Sequence, residues 1–385
     1  MEYFLVQPWF ASPGHPAQSL LRTYRSISPL VDVKSLVFIP RDINLDPYLL
    51  ELIKLCSADI ILPKRSWEHK VFGTLAAGTF SSIRYLEQYR NEGKGLKVFF
   101  LDANLYILSI FLNIQTIKFD RLDVLCMVGP EFYQKTWPEY LSKWLLVKKL
   151  FDLPYFHLHL RTEDLAHDWR RLFPYLGSRI GYLPSLELQN SEFTNRTVVN
   201  DKTDIVLEKK FLVAGQIRSQ KSVLKLFNFF YSSPSLGKLT VAGKIVENSL
   251  KSKIFSRTVE NVTILDRFLT ELEIKKLFLN ADYNLMLYEN WDDRMESAML
   301  FESIKYGCPV VAYKGGWLGT KIVQEGLGWV ISRNKTDFEL FERIQQLPLP
   351  CSNEYKQILV NLEKYHQKCS SEHLVKEFLN RLSWM

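Results

Sequence analysis

Leu277–Gly316, LFLNADYNLMLYENWDDRMESAMLFESIKYGCPVVAYKGG, is the stretch whose reading decides the fold. The end of an amphipathic helix runs into an apolar strand, Tyr283–Tyr288, and then a polar loop, Glu289–Met295. A second helix, Glu296–Tyr306, carries Glu296 and Glu302. Gly307-Cys308-Pro309 then turns the chain into another apolar strand, Val310–Tyr313. Short continuous apolar runs bounded by breakers fit strands buried on both faces, as in a parallel sheet covered by helices. Fold class then turns on whether this strand–helix–strand unit repeats.

It repeats upstream and downstream. FLVAGQIRSQKSVLKLFNFF opens with an apolar strand, Phe211–Ala214, that ends at Gly215; a loop with Arg218 and Lys221 follows, then an amphipathic helix. Further strands are expected at Lys238–Val241 (ending at Gly243), Val262–Leu265 and Trp329–Ile331. Helices fit Val246–Phe255, Thr270–Leu279, Thr320–Glu325 and Thr336–Gln346. Thr270 with Glu273 has the spacing of a capping box.

The first half alternates in the same way. Strands are expected at Tyr3–Val6, Val33–Ile39, Ile60–Leu62, Lys97–Leu101, Val124–Val128, Tyr155–Leu160 and Ile180–Leu183, with helices at Pro47–Cys56, Phe72–Arg90 and Glu163–Leu172. Between the first strand and a helix beginning near Ala17 lies a breaker loop with Gly14 and His15. Strand, glycine loop and helix open a Rossmann-like unit, where a helix N-terminus can meet an anion; a plain tight turn is the alternative. Repeated alternation predicts an α/β chain of two Rossmann-like domains. The expected boundaries are 1–184 for the first domain, 185–209 for a polar linker, 210–350 for the second domain and 351–385 for C-terminal helices that pack back.

Composition sets outer limits. A chain of 385 residues, 47% hydrophobic and 24% charged, can build large cores and is not wholly disordered. The net charge of +7 arises without a block of like charges, which argues against nucleic acid and leaves an anionic small substrate or an acidic membrane face. The five scattered cysteines contain no C-x-x-C pair, so neither a disulfide framework nor a zinc site is expected, and a reduced, cytoplasmic setting fits. No apolar run approaches the ~20 residues of a membrane span, and the first residues lack a signal-peptide pattern. Trp137–Phe151, WPEYLSKWLLVKKLF, places aromatics and lysines at helical spacing; it suits either a peripheral membrane contact or a helix packed on its own sheet.

Ligands of open α/β sheets bind outside the carboxyl ends of the strands, and two such domains enclose a cleft. Arg218 and Lys221 occupy a βα loop at such an edge and can offset a diphosphate, including one that departs as a leaving group. Glu302, within an apolar helix beside a Gly-x-Pro turn, can accept two hydrogen bonds from a ribose diol. Asp293 and Glu296 read as acids near a helix start. Asp292-Asp293 lacks a third ligand, so no metal is expected. His15, His157 and His159 are candidates for proton handling, the last two on one face of a strand.

These residues resemble the GT-B glycosyltransferases, in particular the family-4-like retaining group. FLVAGQIRSQKS is similar to the family's strand–glycine–loop–lysine segment and LTVAGK to its next strand. VTILDRFLTELEIKKLFLNADYNLML is similar to its strand–helix–Ala-Asp–strand run, and FESIKYGCPVVAYKGGWLGTKIV to the pattern that closes the donor site. The resemblance implies two Rossmann-like domains facing across a cleft. It places Glu302 on the nucleotide ribose, Arg218 and Lys221 on the diphosphate, and Arg267-Phe268 at the base. Gly14, Gly215 and Gly243 fall in the phosphate loops, and His15 joins Arg218 and Lys221 among the catalytic candidates. Gln216 stands where the family usually has its arginine, and Arg294 stands where it has the first glutamate of its Glu-x7-Glu motif, beside Asp293 and Glu296 at the donor sugar.

The implied activity is a retaining, metal-independent hexosyltransferase of bacterial polysaccharide biosynthesis type. It would use a UDP- or GDP-sugar as donor substrate, without a cofactor, and a glycan or lipid-linked acceptor. It would be cytoplasmic, peripheral on the inner face of the cell membrane. Two rivals are a GT-B protein that binds and chaperones an active transferase, which Arg294 favours, and a sugar-nucleotide epimerase.

Overall fold

A computed structural model of the chain describes residues 2–8, 15–39, 47–62, 74–92, 95–114, 117–133, 139–196, 208–256, 259–289, 292–333 and 336–384. Its apolar runs pair as two parallel sheets, each within its own compact unit: Met1–Asn190 with Ser371–Met385, and Ser191–Ser370.

In the first unit the strands are β1 (Glu2–Gln7), β2 (Val33–Phe38), β3 (Ala58–Ile61), β4 (Leu96–Phe100), β5 (Phe119–Cys126), β6 (Phe156–Leu160) and β7 (Ile180–Tyr182). They lie in the order β3-β2-β1-β4-β5-β6-β7. Alternation sends successive side chains to opposite faces. Phe4, Val98, Val124 and Leu158 enter one core, while Leu5, Phe99 and Leu125 enter another. The second of these cores is completed by Val375, Phe378 and Leu379 of the Glu372–Arg381 helix, so the end of the chain packs back on this sheet. Arg121 fastens it there, donating to Ser383 Oγ at 2.6 Å and to the Arg381 carbonyl at 2.7 Å.

Leu105–Ile114, read from sequence only as an apolar run too short for a membrane, is a helix whose Leu105, Leu108 and Leu112 fill the first core. The Glu139–Leu150 helix packs Trp144 against Phe173 with ring centroids 5.6 Å apart and leaves Leu145 exposed. Among the described residues, no helix is long and apolar enough to cross a membrane. Leu186 belongs to the first unit's core and Gln189 Nε2 donates to the Ser371 carbonyl, so the chain stays with this unit past Pro184.

The second unit contains β8 (Lys210–Ala214), β9 (Lys238–Ala242), β10 (Val262–Leu265), β11 (Tyr283–Met286), β12 (Val310–Tyr313) and β13 (Gly328–Ile331), in the order β10-β9-β8-β11-β12-β13. Two expectations need correcting here. Strand β11 ends at Met286, so Leu287 and Tyr288 lie beyond the ladder. The following helix is Ala298–Lys305 with Ser297 as its extended N-cap, so Glu296 precedes the helix instead of acidifying its first turn. The capping box of Thr270 and Glu273 is formed on the Glu271–Asn280 helix. Arg196 binds carbonyls at the ends of both helices, Phe278 and Ala281 on one side and Tyr306 on the other.

Strand order reverses between β1 and β4 in the first unit and between β8 and β11 in the second. Helices diverge to opposite faces at such a reversal and leave a crevice outside the carboxyl ends of the two strands. The loops after Ala214 and Met286 therefore meet at the second unit's crevice.

Candidate functional site

The exit of β8 is built on two glycines. Gly215 holds φ +88°, and its N–H donates to the Ala242 carbonyl at 3.0 Å. Gly243 holds φ +137°, and a Cβ there would lie 1.9 Å from the Gly215 carbonyl oxygen. A side chain at Gly243 would thus force the β8 and β9 exits apart. This close approach explains why both glycines end their strands.

Lys221 curls back into this exit. Its side chain is buried, and Nζ donates to the Ala214 carbonyl at 2.5 Å. Burial, reinforced by the nearby Arg218 charge, pulls the ammonium down to about 8. Arg218 is exposed and donates through Nε and Nη2 to Gln216 Oε1 at 3.1 and 2.8 Å. Gln216 therefore steadies the arginine that stands two places later. Neither cation has a carboxylate partner among the described residues. Two adjacent positive charges at a strand exit, one of them desolvated, could offset a multivalent anion.

The Ala298–Lys305 helix forms another wall of this exit. Met299 reaches Gly215, where a Cβ would lie 3.0 Å from its Sδ. Glu302 follows three residues later on the same helix face and is buried. The sequence candidates Gly215, Gly243, Arg218, Lys221 and Glu302 are thus all at or beside one crevice. Tyr288 was missed. Its ring lies 5.6 Å from Lys221 Nζ, and its hydroxyl is 3.2 Å from Ser297 Oγ. The only signal was an aromatic at the end of an apolar run, which in sequence reads as strand core.

The remaining donor-side candidates are held by other partners. Arg294 pairs with Asp292, and Asp293 pairs with Arg333 at 2.6 Å. The Asp293 carbonyl also accepts from Trp317 N–H, and a Cβ on Gly316 (φ +62°) would lie 2.8 Å from that carbonyl oxygen. A small pocket beneath this loop is bounded by Tyr288, Tyr313 and Arg333. Arg267 is turned toward Glu273, whose carboxyl it holds down to about 2, while Phe268 is exposed.

In the first unit, Gly14 lies outside the described residues; His15 is the first residue of the His15–Ile27 helix, with its side chain outside the description. His159 is a core residue, its Nε2 2.7 Å from Asp123 Oδ1. Burial and the Arg121 charge push His157 down to about 4. Sequence reading also passed over Asp102, just past β4 at the first switch point. Burial lifts its carboxyl to about 7. Among the described residues, no group of three or more His, Cys, Asp and Glu is placed to hold a metal.

No protein-family model and no curated protein sequence matches the chain. Solved structures do match over its whole length. HepE of Anabaena, in a complex with UDP and glucose, superposes with a TM-score of 0.66 at 14% identity, covering 100% of both chains. WaaG, a glycosyltransferase involved in lipopolysaccharide biosynthesis, gives 0.65 at 12% identity over 99% of each chain. The trehalose-6-phosphate synthase OtsA gives 0.66 at 11% identity, covering 100% of this chain and 99% of its own. At these identities the likeness establishes the fold, which is GT-B: two parallel-sheet α/β domains.

Proposed function

We propose that the second unit binds a nucleoside diphosphate sugar at its switch point and that the chain is a retaining, metal-independent glycosyltransferase of the family-4-like group. The observation that carries this is the buried Lys221 ammonium beside Arg218 at the β8 exit, without a carboxylate partner among the described residues. Buried Glu302, on the helix that meets the same exit, is the ribose acceptor in this reading.

The chemistry follows from those roles. The bond between the sugar's anomeric carbon and the β-phosphate oxygen breaks, and its electron pair stays with the diphosphate. Lys221 and Arg218 stabilise that growing charge from fixed positions. The acceptor hydroxyl bonds to the anomeric carbon from the face the phosphate leaves, and its proton passes to a phosphate oxygen. HepE was solved with UDP and glucose, which favours UDP as the first donor base to try. The acceptor in this reading is a glycan or lipid-linked glycan.

A non-catalytic partner protein is the second reading, supported by Arg294 being engaged with Asp292 where the family that the sequence resembles has a glutamate. Calorimetric titration with UDP- and GDP-sugars, followed by an assay of slow donor hydrolysis, separates the two. Micromolar binding with hydrolysis supports the enzyme, and binding without hydrolysis or transfer supports the partner. A chain that binds no nucleotide has neither role at this site.

A further inference from the structure

Tyr288 borders both the Lys221 loop and the start of the helix that carries Glu302. Its two chain neighbours are bonded to the two neighbours of Lys221: Glu289 N–H donates to the Gln220 carbonyl at 2.6 Å, and Ser222 Oγ donates to the Leu287 carbonyl at 2.8 Å. Lys221 is therefore pinned on both sides to the segment that carries Tyr288, with its ammonium 5.6 Å from the ring centre. Ser222 holds φ +52° to make its bond, a conformation that a residue other than glycine keeps only when its surroundings impose it. At the other end of the same side chain, the Tyr288 hydroxyl meets Ser297, the N-cap of the helix bearing Glu302.

An aromatic face attracts a cation, and more strongly where water is excluded. Burial and Arg218 both push Lys221 toward the neutral amine, which would not hold a diphosphate. The other charged and titratable groups near this turn are the Lys225–Glu289 pair and the Tyr313 hydroxyl, which approaches Ser222. The flanking residue from the Ala298–Lys305 helix is the uncharged Met299.

We propose that Tyr288 is a positioning residue of this site: its ring keeps Lys221 charged and in place for the diphosphate, and its hydroxyl sets the start of the Glu302 helix. The inference rests on reading the site as one for a nucleoside diphosphate. The test is calorimetric titration of the full chain with UDP and with inorganic pyrophosphate between pH 6 and 9. Tyr288→Phe keeps the ring and loses the hydroxyl, so UDP affinity falls about fivefold while pyrophosphate affinity stays within about twofold of wild type. Tyr288→Leu loses the ring, and the pH at which UDP affinity is half lost moves down by about one unit. A role in packing alone would weaken binding equally at every pH. An unmoved pH midpoint in Tyr288→Leu, or equal losses for UDP and pyrophosphate in Tyr288→Phe, overturns the inference and leaves the nucleotide reading standing. Wild-type protein that binds neither UDP nor GDP overturns both.

Discussion

Arg294 is folded back on Asp292: Nε and Nη2 donate to the two carboxylate oxygens at 2.9 and 2.7 Å, and the Arg294 backbone N–H adds a bond at 3.0 Å. With Asp293 held by Arg333, both neighbouring carboxylates of this loop are neutralised within the loop or by β13's exit. The pair is partly exposed, and such pairs contribute about 0.2–1 kcal/mol. Arg294→Ala should therefore lower stability by less than about 1 kcal/mol. If the loop lines the donor sugar, the same substitution should change the ranking of UDP-sugars in a hydrolysis assay while UDP affinity stays within about twofold. A loss of UDP affinity as large as the change in turnover would place Arg294 on the nucleotide instead.

Glu302 tests the ribose contact separately. Its carboxylate would accept two charge-assisted hydrogen bonds, each contributing about 1.5–3 kcal/mol. Glu302→Gln should weaken UDP by roughly tenfold to a hundredfold and leave inorganic pyrophosphate nearly untouched in the same titration. Equal weakening of both ligands would show that the helix supports the diphosphate end and not the ribose.

Lys221 predicts a pH dependence of known sign. In the proposed reading its ammonium binds the anion, and burial pulls its titration down to about 8. UDP affinity should be level between pH 6 and 7 and decline as the pH rises through 8. Lys221→Arg, whose guanidinium stays charged, should remove that decline even if it binds more weakly throughout. A decline that persists in Lys221→Arg would have to come from another group, such as a tyrosine.

Much of this architecture is local and hence legible in sequence. The apolar run Val310–Tyr313 matches its strand residue for residue, because a strand buried on both faces leaves no polar positions to blur its limits. The place of Gly215 and Gly243 is legible for a related reason, since each directly follows the end of its strand. The switch points were not, because strand order depends on pairings between distant segments. Tyr288 shows the consequence: nothing in NLMLYEN says that its ring will face Lys221. The sequence places Glu296 at the start of its helix, whereas the extended backbone of Ser297 starts that helix two residues later.

Asp102 gives a prediction about stability alone. Burial raises its carboxyl from 3.8 to about 7, against smaller opposing effects of the Ala103 N–H and Arg161. The folded chain thus holds this proton more tightly than the unfolded chain does. That contribution is fully present below pH 4 and is lost as pH rises through 7. Asp102→Asn cannot ionise, so it should be more stable than wild type at pH 8, by on the order of 2 kcal/mol, and nearly equal to it at pH 4. Chemical denaturation at the two pH values measures this. An Asn variant that is less stable at pH 8 would mean that the carboxylate is stabilised there by a charge.

The last prediction concerns what keeps the C-terminal helix on the first sheet. Asp123 is fully buried in β5 and is approached from two sides, by Arg121 Nε at 2.9 Å and by His159 Nε2 at 2.7 Å. The same guanidinium spends its other nitrogens on Ser383 and the Arg381 carbonyl, so one side chain joins a buried carboxylate to the end of the chain. Removing one partner of a buried ion pair costs about 3–5 kcal/mol, because the other charge stays behind without compensation. Arg121→Met should fall near the lower end of that range, since His159 still reaches Asp123. Adding Asp123→Asn removes the stranded charge, so the double variant should recover part of the loss, and a double-mutant cycle in urea measures the coupling. UDP affinity, which the proposed site assigns to the second unit, should stay within about twofold in both variants. If Arg121→Met costs less than about 1 kcal/mol, the tail is held by Val375, Phe378 and Leu379 alone, and the arginine merely lies along it.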